Sequence, residues 1–266
     1  MGATMVYTFI SGATGGLGKA FVYENANEGR NLFLTGRNTD ALIKLKEEVQ
    51  NKYSGIQIEY FACQLFSETE RKKLYEYINN SDMNFDRLCN VAGVDIQKAF
   101  EKYTEEKIIS QVRVNVEATL CLTRFILEKR AENLEIITVS SMSGMCPMPY
   151  FAIYSSTKYT LMSFFRALKY ELKGKNVKIT TVAPGGIPTR QDIIDDIKGQ
   201  GIWGKLSSKT PQYVAEKSIK AVKRNKTLLI PGFFNRFLNF LMKLVPSGIK
   251  LSFISKRWNK LEKDAF

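Results

Sequence analysis

The chain has 266 residues, of which 44% are hydrophobic and 24% charged, and 39 Lys+Arg against 26 Asp+Glu leave a net charge of +13. Such a length suits one large α/β domain or two small ones, with enough chain to bury a sizeable core. Histidine is absent, which excludes Ser-His-Asp and Cys-His nucleophilic systems, histidine metal sites and histidine general bases, and leaves proton chemistry to Tyr, Lys, Asp, Glu or Cys. The basic balance fits nucleic acid, an anionic membrane, anionic ligands or plain solubility. No nucleic-acid motif accompanies it, so no nucleic-acid partner is expected. Cys63, Cys89, Cys121 and Cys146 form no C-x-x-C pair and read as reduced core residues of a cytoplasmic protein. No metal site is expected. The amino terminus lacks a signal-peptide pattern, and no apolar run approaches the roughly 18 residues of a spanning helix.

The first strand is predicted over MVYTFI at 5–10, running through SGATGGLGKAF into a helix at 16–27. Gly12, Gly16 and Gly18 give the spacing G-x-x-x-G-x-G. A strand, clustered glycines and then a helix is the geometry of a phosphate-binding turn. Glycine lets backbone N–H groups approach a pyrophosphate, and the helix N-terminus adds a favourable dipole. The spacing differs from G-x-G-x-x-G. It also fails as a P-loop, because Ala13 stands in place of the first glycine and Ala20 follows Lys19. The second strand, NLFLT at 31–35, leads into Gly36-Arg37-Asn38. An NAD-binding fold usually has a carboxylate there for the ribose 2′-hydroxyl. Arg37 offers instead a fork of donors suited to a 2′-phosphate, which points to NADP(H).

Helices follow near 39–52 and 67–80, on either side of a strand at 56–62. Ser67-Glu68-Thr69-Glu70 is a capping-box pattern, and Gly29, Gly55 and Gly174 stand as helix stops. Further strands are predicted at 86–92, 134–140, 177–183 and 227–231. Further helices are predicted near 104–130, 152–173 and 210–225, the last opened by Thr210 before Pro211. Strands alternating with helices argue for βαβ units. The expected fold is α/β, a Rossmann-type doubly wound parallel sheet of about seven strands in three α/β/α layers. It would form a single domain over 1–231, with a C-terminal amphipathic helical extension over 232–266.

A tyrosine and a lysine four residues apart share a helix face. The chain holds three such pairs, Tyr103/Lys107, Tyr154/Lys158 and Tyr213/Lys217. Only Tyr154 has a serine, Ser141, 13 residues upstream at the carboxyl end of a strand, where ligands sit in open α/β sheets. A free tyrosine has a pKa of about 10. A cation one turn away favours the phenolate, so this pair is expected to exchange protons near neutrality.

With these motifs in place, the sequence resembles the short-chain dehydrogenase/reductase family from residue 5 to about 231. The family's glycine pattern appears as Ser11-Gly12…Gly16-Leu17-Gly18, and its N-N-A-G as Asn90-Val91-Ala92-Gly93. Its mid-helix asparagine matches Asn115, its serine and Y-x-x-x-K match Ser141 and Tyr154/Lys158, and its P-G motif matches Pro184-Gly185, closed by Thr189. Ser11 replaces a Thr, Val91 replaces an Asn, and Gln64 replaces the Asp that contacts adenine. The resemblance implies a catalytic set of Asn115, Ser141, Tyr154 and Lys158. It implies cofactor contacts from Gly12, Thr14, Gly15, Gly16, Leu17, Gly18, Arg37, Gln64, Asn90, Ala92, Gly93, Tyr154, Lys158, Pro184, Gly185, Ile187 and Thr189. Tyr154 would give a proton to a carbonyl oxygen as hydride arrives from NADPH, or take one in reverse. Ser141 would orient the substrate oxygen, Lys158 would bond the nicotinamide ribose, and Asn115 would hold a water linking Lys158 to solvent.

After the sixth strand, the stretch 185–209 carries Ile187, Ile193, Ile194, Ile202, Trp203 and Leu206, expected to line or cover an apolar pocket. That suits a bulky ketone or secondary alcohol, first a steroid or bile-acid-like molecule, second a 3-oxoacyl or other long-chain carbonyl of lipid metabolism. An NADP-binding redox sensor is the non-enzyme alternative. In the tail, Phe233, Phe237, Phe240, Leu241 and Leu244 recur at helical spacing, with Asn235, Arg236, Asn239 and Lys243 on the other face. A second segment sets Ile249, Phe253, Ile254 and Trp258 beside Lys250, Lys256, Arg257 and Lys260. Such helices are expected to pack over the substrate loop, to join subunits of a dimer or tetramer, or to rest on an anionic membrane.

Overall fold

A computed structural model describes residues 5–199 and 201–259 of the chain. Lys260 lies outside them, as does the side chain of Trp203. Seven strands, β1 (Met5–Ser11), β2 (Asn31–Gly36), β3 (Ile58–Ala62), β4 (Met83–Asn90), β5 (Arg130–Val139), β6 (Val177–Val182) and β7 (Leu228–Leu229), form one sheet. Its order is β3-β2-β1-β4-β5-β6-β7, and every pairing is parallel. The order reverses between β1 and β4, and the crevice outside the carboxyl ends of these two strands is where ligands bind in such sheets.

Successive side chains along a strand point to opposite faces. Ile10 and Leu34 therefore face one core, while Phe9 and Phe33 face the other. The first core is closed by α1 (Gly16–Asn27), α2 (Thr39–Lys52) and α9 (Pro211–Lys223), through Phe21, Leu42, Val214 and Ile219. The second is closed by α3 (Glu68–Asn79), α5 (Ala118–Glu128) and α6 (Ala152–Glu171), through Leu74, Leu122 and Phe165. Across β2, β1 and β4, Phe33 stacks on Phe9 at 5.1 Å and Phe85 meets Phe9 edge-on at 5.6 Å. Such ring pairs contribute about 0.5–1.5 kcal/mol beyond their buried area.

The sheet itself carries a buried charge. Arg87 of β4 is fully buried. Its guanidinium donates to Glu135 at 2.5 and 2.9 Å, to Glu28 at 2.9 Å and to Asn25 at 2.5 Å. Removing one partner of such a cluster leaves carboxylates facing a low-dielectric interior. Arg87→Ala is expected to cost about 3–5 kcal/mol in urea unfolding. A loss below about 1 kcal/mol would mean that water reaches Glu135 and Glu28.

Helix boundaries depart from the sequence reading at three places. The helix expected at 104–130 is interrupted: α4 (Glu105–Val112) passes into one π turn, Arg113–Glu117, before α5. The stretch 185–209, expected as a loop, contains α7 (Gln191–Gly199) and α8 (Gly201–Ser207). The capping box is half-formed. The Ser67 hydroxyl accepts from Glu70 N–H, but the Glu70 carboxylate accepts from Gln64 N–H at 2.6 Å, because the chain turns sharply after β3. The stops read from Gly29, Gly55 and Gly174 all take φ between +71° and +88°, which glycine adopts without a Cβ penalty. The tail forms α10 (Phe233–Leu244) and α11 (Ser247–Trp258).

Candidate active site

The turn after β1 is shaped by close approaches that only glycine allows. Gly12 holds φ +66°, and a Cβ there would lie 2.9 Å from the Ala92 backbone. At Gly18 a Cβ would lie 2.0 Å from the Gly12 carbonyl oxygen, and at Gly16 it would lie 2.8 Å from the Thr189 side chain. The turn thus brings together the strand ends of β1 and β4 and the segment after β6. Ser11 anchors it: its hydroxyl accepts from the N–H groups of Val91 and Ala92 at 3.1 and 3.2 Å. Gly15 and Gly16 stand exposed at the start of α1, where no side chain caps the helix and no acidic residue occupies the first turn. Backbone N–H groups there are open to an anion, which fits the pyrophosphate of a dinucleotide. Arg37 and Gln64 stand exposed just beyond the carboxyl ends of β2 and β3.

A cavity of about 790 Å³ opens beside this turn, and Ser141, Tyr154 and Lys158 form one of its walls. Tyr154 sits in the first turn of α6, with the Phe151 ring stacked on it at 4.4 Å. Just before them Tyr150 holds φ +63°, an uncommon conformation for a bulky residue, which marks how tightly the entry to α6 is set. Lys158 is buried one turn on. Its ammonium donates to the Val139 carbonyl at 3.1 Å and lies 5.5 Å from the Tyr154 ring centre. The Ser140 hydroxyl donates to the Lys158 carbonyl at 2.8 Å, tying the end of β5 to α6.

Electrostatics here differ from the sequence expectation. Burial raises the Tyr154 pKa above its ordinary 10, and the Asp95 carboxylate raises it further; a hydrogen bond with Ser141 and the Arg190 charge pull it back. Burial also lowers Lys158 from 10.5 to about 8, with Asp95 opposing. Burial and Asp95 outweigh Ser141 and Arg190, so the phenol favours its protonated form at neutral pH.

Asn115 occupies the π turn and is fully buried. Its side-chain oxygen accepts from Val94 N–H at 2.8 Å. Its amide donates to the Val94 carbonyl at 2.9 Å and to the Thr157 hydroxyl at 3.1 Å. The side chain acts as a bracket between the loop after β4 and α6. Gly93 sits beneath, where a Cβ would lie 3.1 Å from the Lys158 ammonium. Asn90 points away from the cavity, its amide donating to Thr123 and Thr138 at 3.1 and 3.3 Å.

Of the sequence-derived set, Leu17, Gly93, Ser141, Tyr154, Lys158, Pro184, Gly185, Ile187 and Thr189 line the cavity. Gly12, Thr14, Gly15, Gly16, Gly18, Arg37, Gln64, Asn90, Ala92 and Asn115 do not; they belong to the turn, the strand ends and the bracket behind the wall. The other two Tyr/Lys pairs stay away from it. Tyr103 donates to the Ile96 carbonyl at 2.7 Å, and Lys217 lies over Tyr213 on a helix surface. Within the 185–209 stretch, Ile193 lines the cavity as expected, and Ile197 joins it. Ile202 and Leu206 do not: they are 76% and 45% exposed.

One cavity feature was not legible in the sequence, and a second was read only as one of three alternatives. Asp95 and Arg190 pair at 3.1 Å, joining the loop after β4 to the start of α7, and Arg190 also pairs with Asp192 at 3.0 Å. The partners are 95 residues apart in the chain, and no local pattern links them. The tail supplies a whole wall through Phe234, Leu238, Met242, Ile254 and Trp258. Asn235 locks it in place, donating to the carbonyls of Ser207 and Pro231 at 2.8 Å each. Met142, Met145, Met148 and Phe151 complete the apolar lining on the side of Tyr154.

Residues 7–194 match the family model described as short chain dehydrogenase. A 3-oxoacyl-[acyl-carrier-protein] reductase of Aquifex aeolicus is 30% identical over 184 residues, covering 68% of this chain and 74% of its own. Among solved structures, one from a study of 7beta-hydroxysteroid dehydrogenase stereoselectivity superposes with a TM-score of 0.81 at 21% identity, covering 94% of this chain and 96% of its own. A short-chain dehydrogenase from Sphingobium yanoikuyae in complex with NADPH superposes with a TM-score of 0.75 at 19% identity, covering 98% of this chain and all of its own. At such identities the structural likenesses speak for the fold alone.

Proposed function

We infer the activity from one premise: the chain belongs to the short-chain dehydrogenase family. Members of that family are oxidoreductases that use a nicotinamide cofactor. From this we read the chain as an NADP(H)-dependent enzyme interconverting a bulky hydrophobic ketone and its secondary alcohol. The observation that carries the reading is the meeting of Ser141, Tyr154 and Lys158 on one wall of a cavity whose other walls are largely apolar. The glycine turn and Arg37 would hold the dinucleotide, with Arg37 taking the 2′-phosphate. When bound, the cofactor supplies or accepts the hydride. The Ser141 hydroxyl orients the substrate oxygen. Tyr154, protonated at neutral pH, gives its proton to that oxygen in reduction and recovers it in oxidation. Lys158 holds a positive charge beside the phenol as it loses its proton. Asn115 is a positioning residue, fixing the Val94 backbone against α6.

A hydroxysteroid-like substrate suits the largely apolar walls and is the first reading, in keeping with the fold shared with the structure from the 7beta-hydroxysteroid dehydrogenase study. The reductase from Aquifex aeolicus favours a 3-oxoacyl substrate as the second reading. A panel of steroid ketones, 3-oxoacyl thioesters and simple ketones, followed by loss of reduced-nicotinamide absorbance with NADPH and NADH, separates them. No turnover of any of them would favour an NADP-binding sensor.

The pH profile follows from Lys158. Its cation is present below about 8 and lost above. Reductive kcat/KM is therefore expected to fall as pH rises through about 8, and Lys158→Met is expected to lack that limb. Stability has the opposite sign. Between about 8 and 10.5 the unfolded chain binds the proton that the folded chain has released, so this group makes the fold more stable as pH rises through that window. A profile flat through pH 8 would show that Lys158 keeps its charge.

A further inference from the structure

We propose that the outer face of α10 and α11 docks the protein on an anionic membrane surface. On the 3.6-residue period, Phe233, Phe237, Phe240, Leu241 and Leu244 fall on one side of α10, and all are 40% to 76% exposed. In α11, Ile249 is 65% exposed, and Phe253, at the cavity's edge, is 63% exposed. The cavity has taken the neighbouring side of α10, through Phe234, Leu238 and Met242, roughly 115° round the helix. The helix is thus apolar on two faces, and only one of them has a use within the described residues. Contiguous exposed apolar surface of this kind marks an interaction site.

Charge decides the partner. From 233 to 259 the sequence carries Arg236, Lys243, Lys250, Lys256 and Arg257 and no Asp or Glu; Lys243, Lys250 and Arg257 border the cavity, whereas Arg236 and Lys256 stand outside it. A second copy seated on this face would bring two such sets of cations together, a like-charge juxtaposition that opposes association. An anionic leaflet neutralises them while its acyl region takes the phenylalanines. Among the described residues no helix is long and apolar enough to cross a membrane, so α10 and α11 would lie along the surface. Because the same helices wall the cavity, a docked protein would take its ketone from the lipid. That last step rests on the function proposed above; the docking does not.

The test uses the full chain and vesicles of phosphatidylcholine, with or without about one-third phosphatidylserine. Binding to the anionic vesicles is expected to be about tenfold tighter or more, and to weaken with added salt. A Phe237→Asp/Phe240→Asp variant, at positions outside the cavity lining, is expected to lose vesicle binding and keep kcat/KM for a water-soluble ketone. An Arg236→Gln/Lys256→Gln variant keeps the apolar face and is expected to lose the preference for anionic vesicles. Equal sedimentation of wild type and the aspartate variant, or none of the wild type with either vesicle, overturns the proposal. So does a dimer in sedimentation velocity that Phe237→Asp dissolves, since a second copy would then own the face. Vesicle binding without turnover of any ketone would sink the enzymatic reading and leave the docking standing.

Discussion

Tyr154→Phe is expected to lower turnover by about 10²–10⁴-fold while NADPH binding persists. The substitution removes one oxygen and nothing else. The ring stays stacked against Phe151 at 4.4 Å, and α6 keeps its length and its Lys158 anchor on the Val139 carbonyl. What is lost is the proton that burial keeps on the phenol at neutral pH. Without it, a carbonyl oxygen receiving hydride develops charge with only Ser141 to meet it. The measurement is kcat/KM beside a fluorescence titration of NADPH. Unchanged turnover would remove Tyr154 from the chemistry. Loss of NADPH binding with turnover would mean that the variant had damaged the site and not the proton transfer.

Arg37→Asp is expected to weaken NADPH about 100-fold or more while leaving NADH within a fewfold, reversing the cofactor preference. The geometry behind this is the contact between the end of β2 and the glycine turn. A Cβ at Gly36 would lie 3.1 Å from the Thr14 hydroxyl, so the residue after Gly36 lies at the edge of the phosphate-binding turn. A guanidinium there can fork onto a 2′-phosphate; a carboxylate repels it and accepts from a free 2′-hydroxyl. Dissociation constants for both cofactors decide the matter. Equal losses would show that the 2′-phosphate is read elsewhere.

The parallel sheet was legible because its strands are short apolar runs bounded by glycine turns and amphipathic helices, and run length, flanking glycines and β-branched content separate the two. The meeting of Ser141, Tyr154 and Lys158 was legible because 13 residues suffice to join a strand end to the next helix. Three features were not. The Asp95–Arg190 pair joins loops 95 residues apart, and only the assembled sheet brings them together. The inner face of α10 was hidden by its own composition. The phenylalanine stripe at 233, 237 and 240 dominates the pattern, yet Phe234, Leu238 and Met242 are the residues that meet the cavity. The pKa of Tyr154 was misread because a lysine four residues away is visible in a sequence and desolvation is not.

The π turn at Arg113–Glu117 carries one further consequence, for how this site tolerates change. A π turn holds one residue more than the α-helix it interrupts. Deleting a single residue from it would let α4 and α5 fuse into one regular helix, with the turns on either side still in phase and only the bulge itself redrawn. Asn115 would swing off Val94 and Thr157, and the bracket behind Lys158 would open. The site therefore depends on a length as well as on identities. Point substitutions across 113–117 can be repaired one at a time, whereas a one-codon deletion there removes the bracket in a single step and leaves a straighter helix behind.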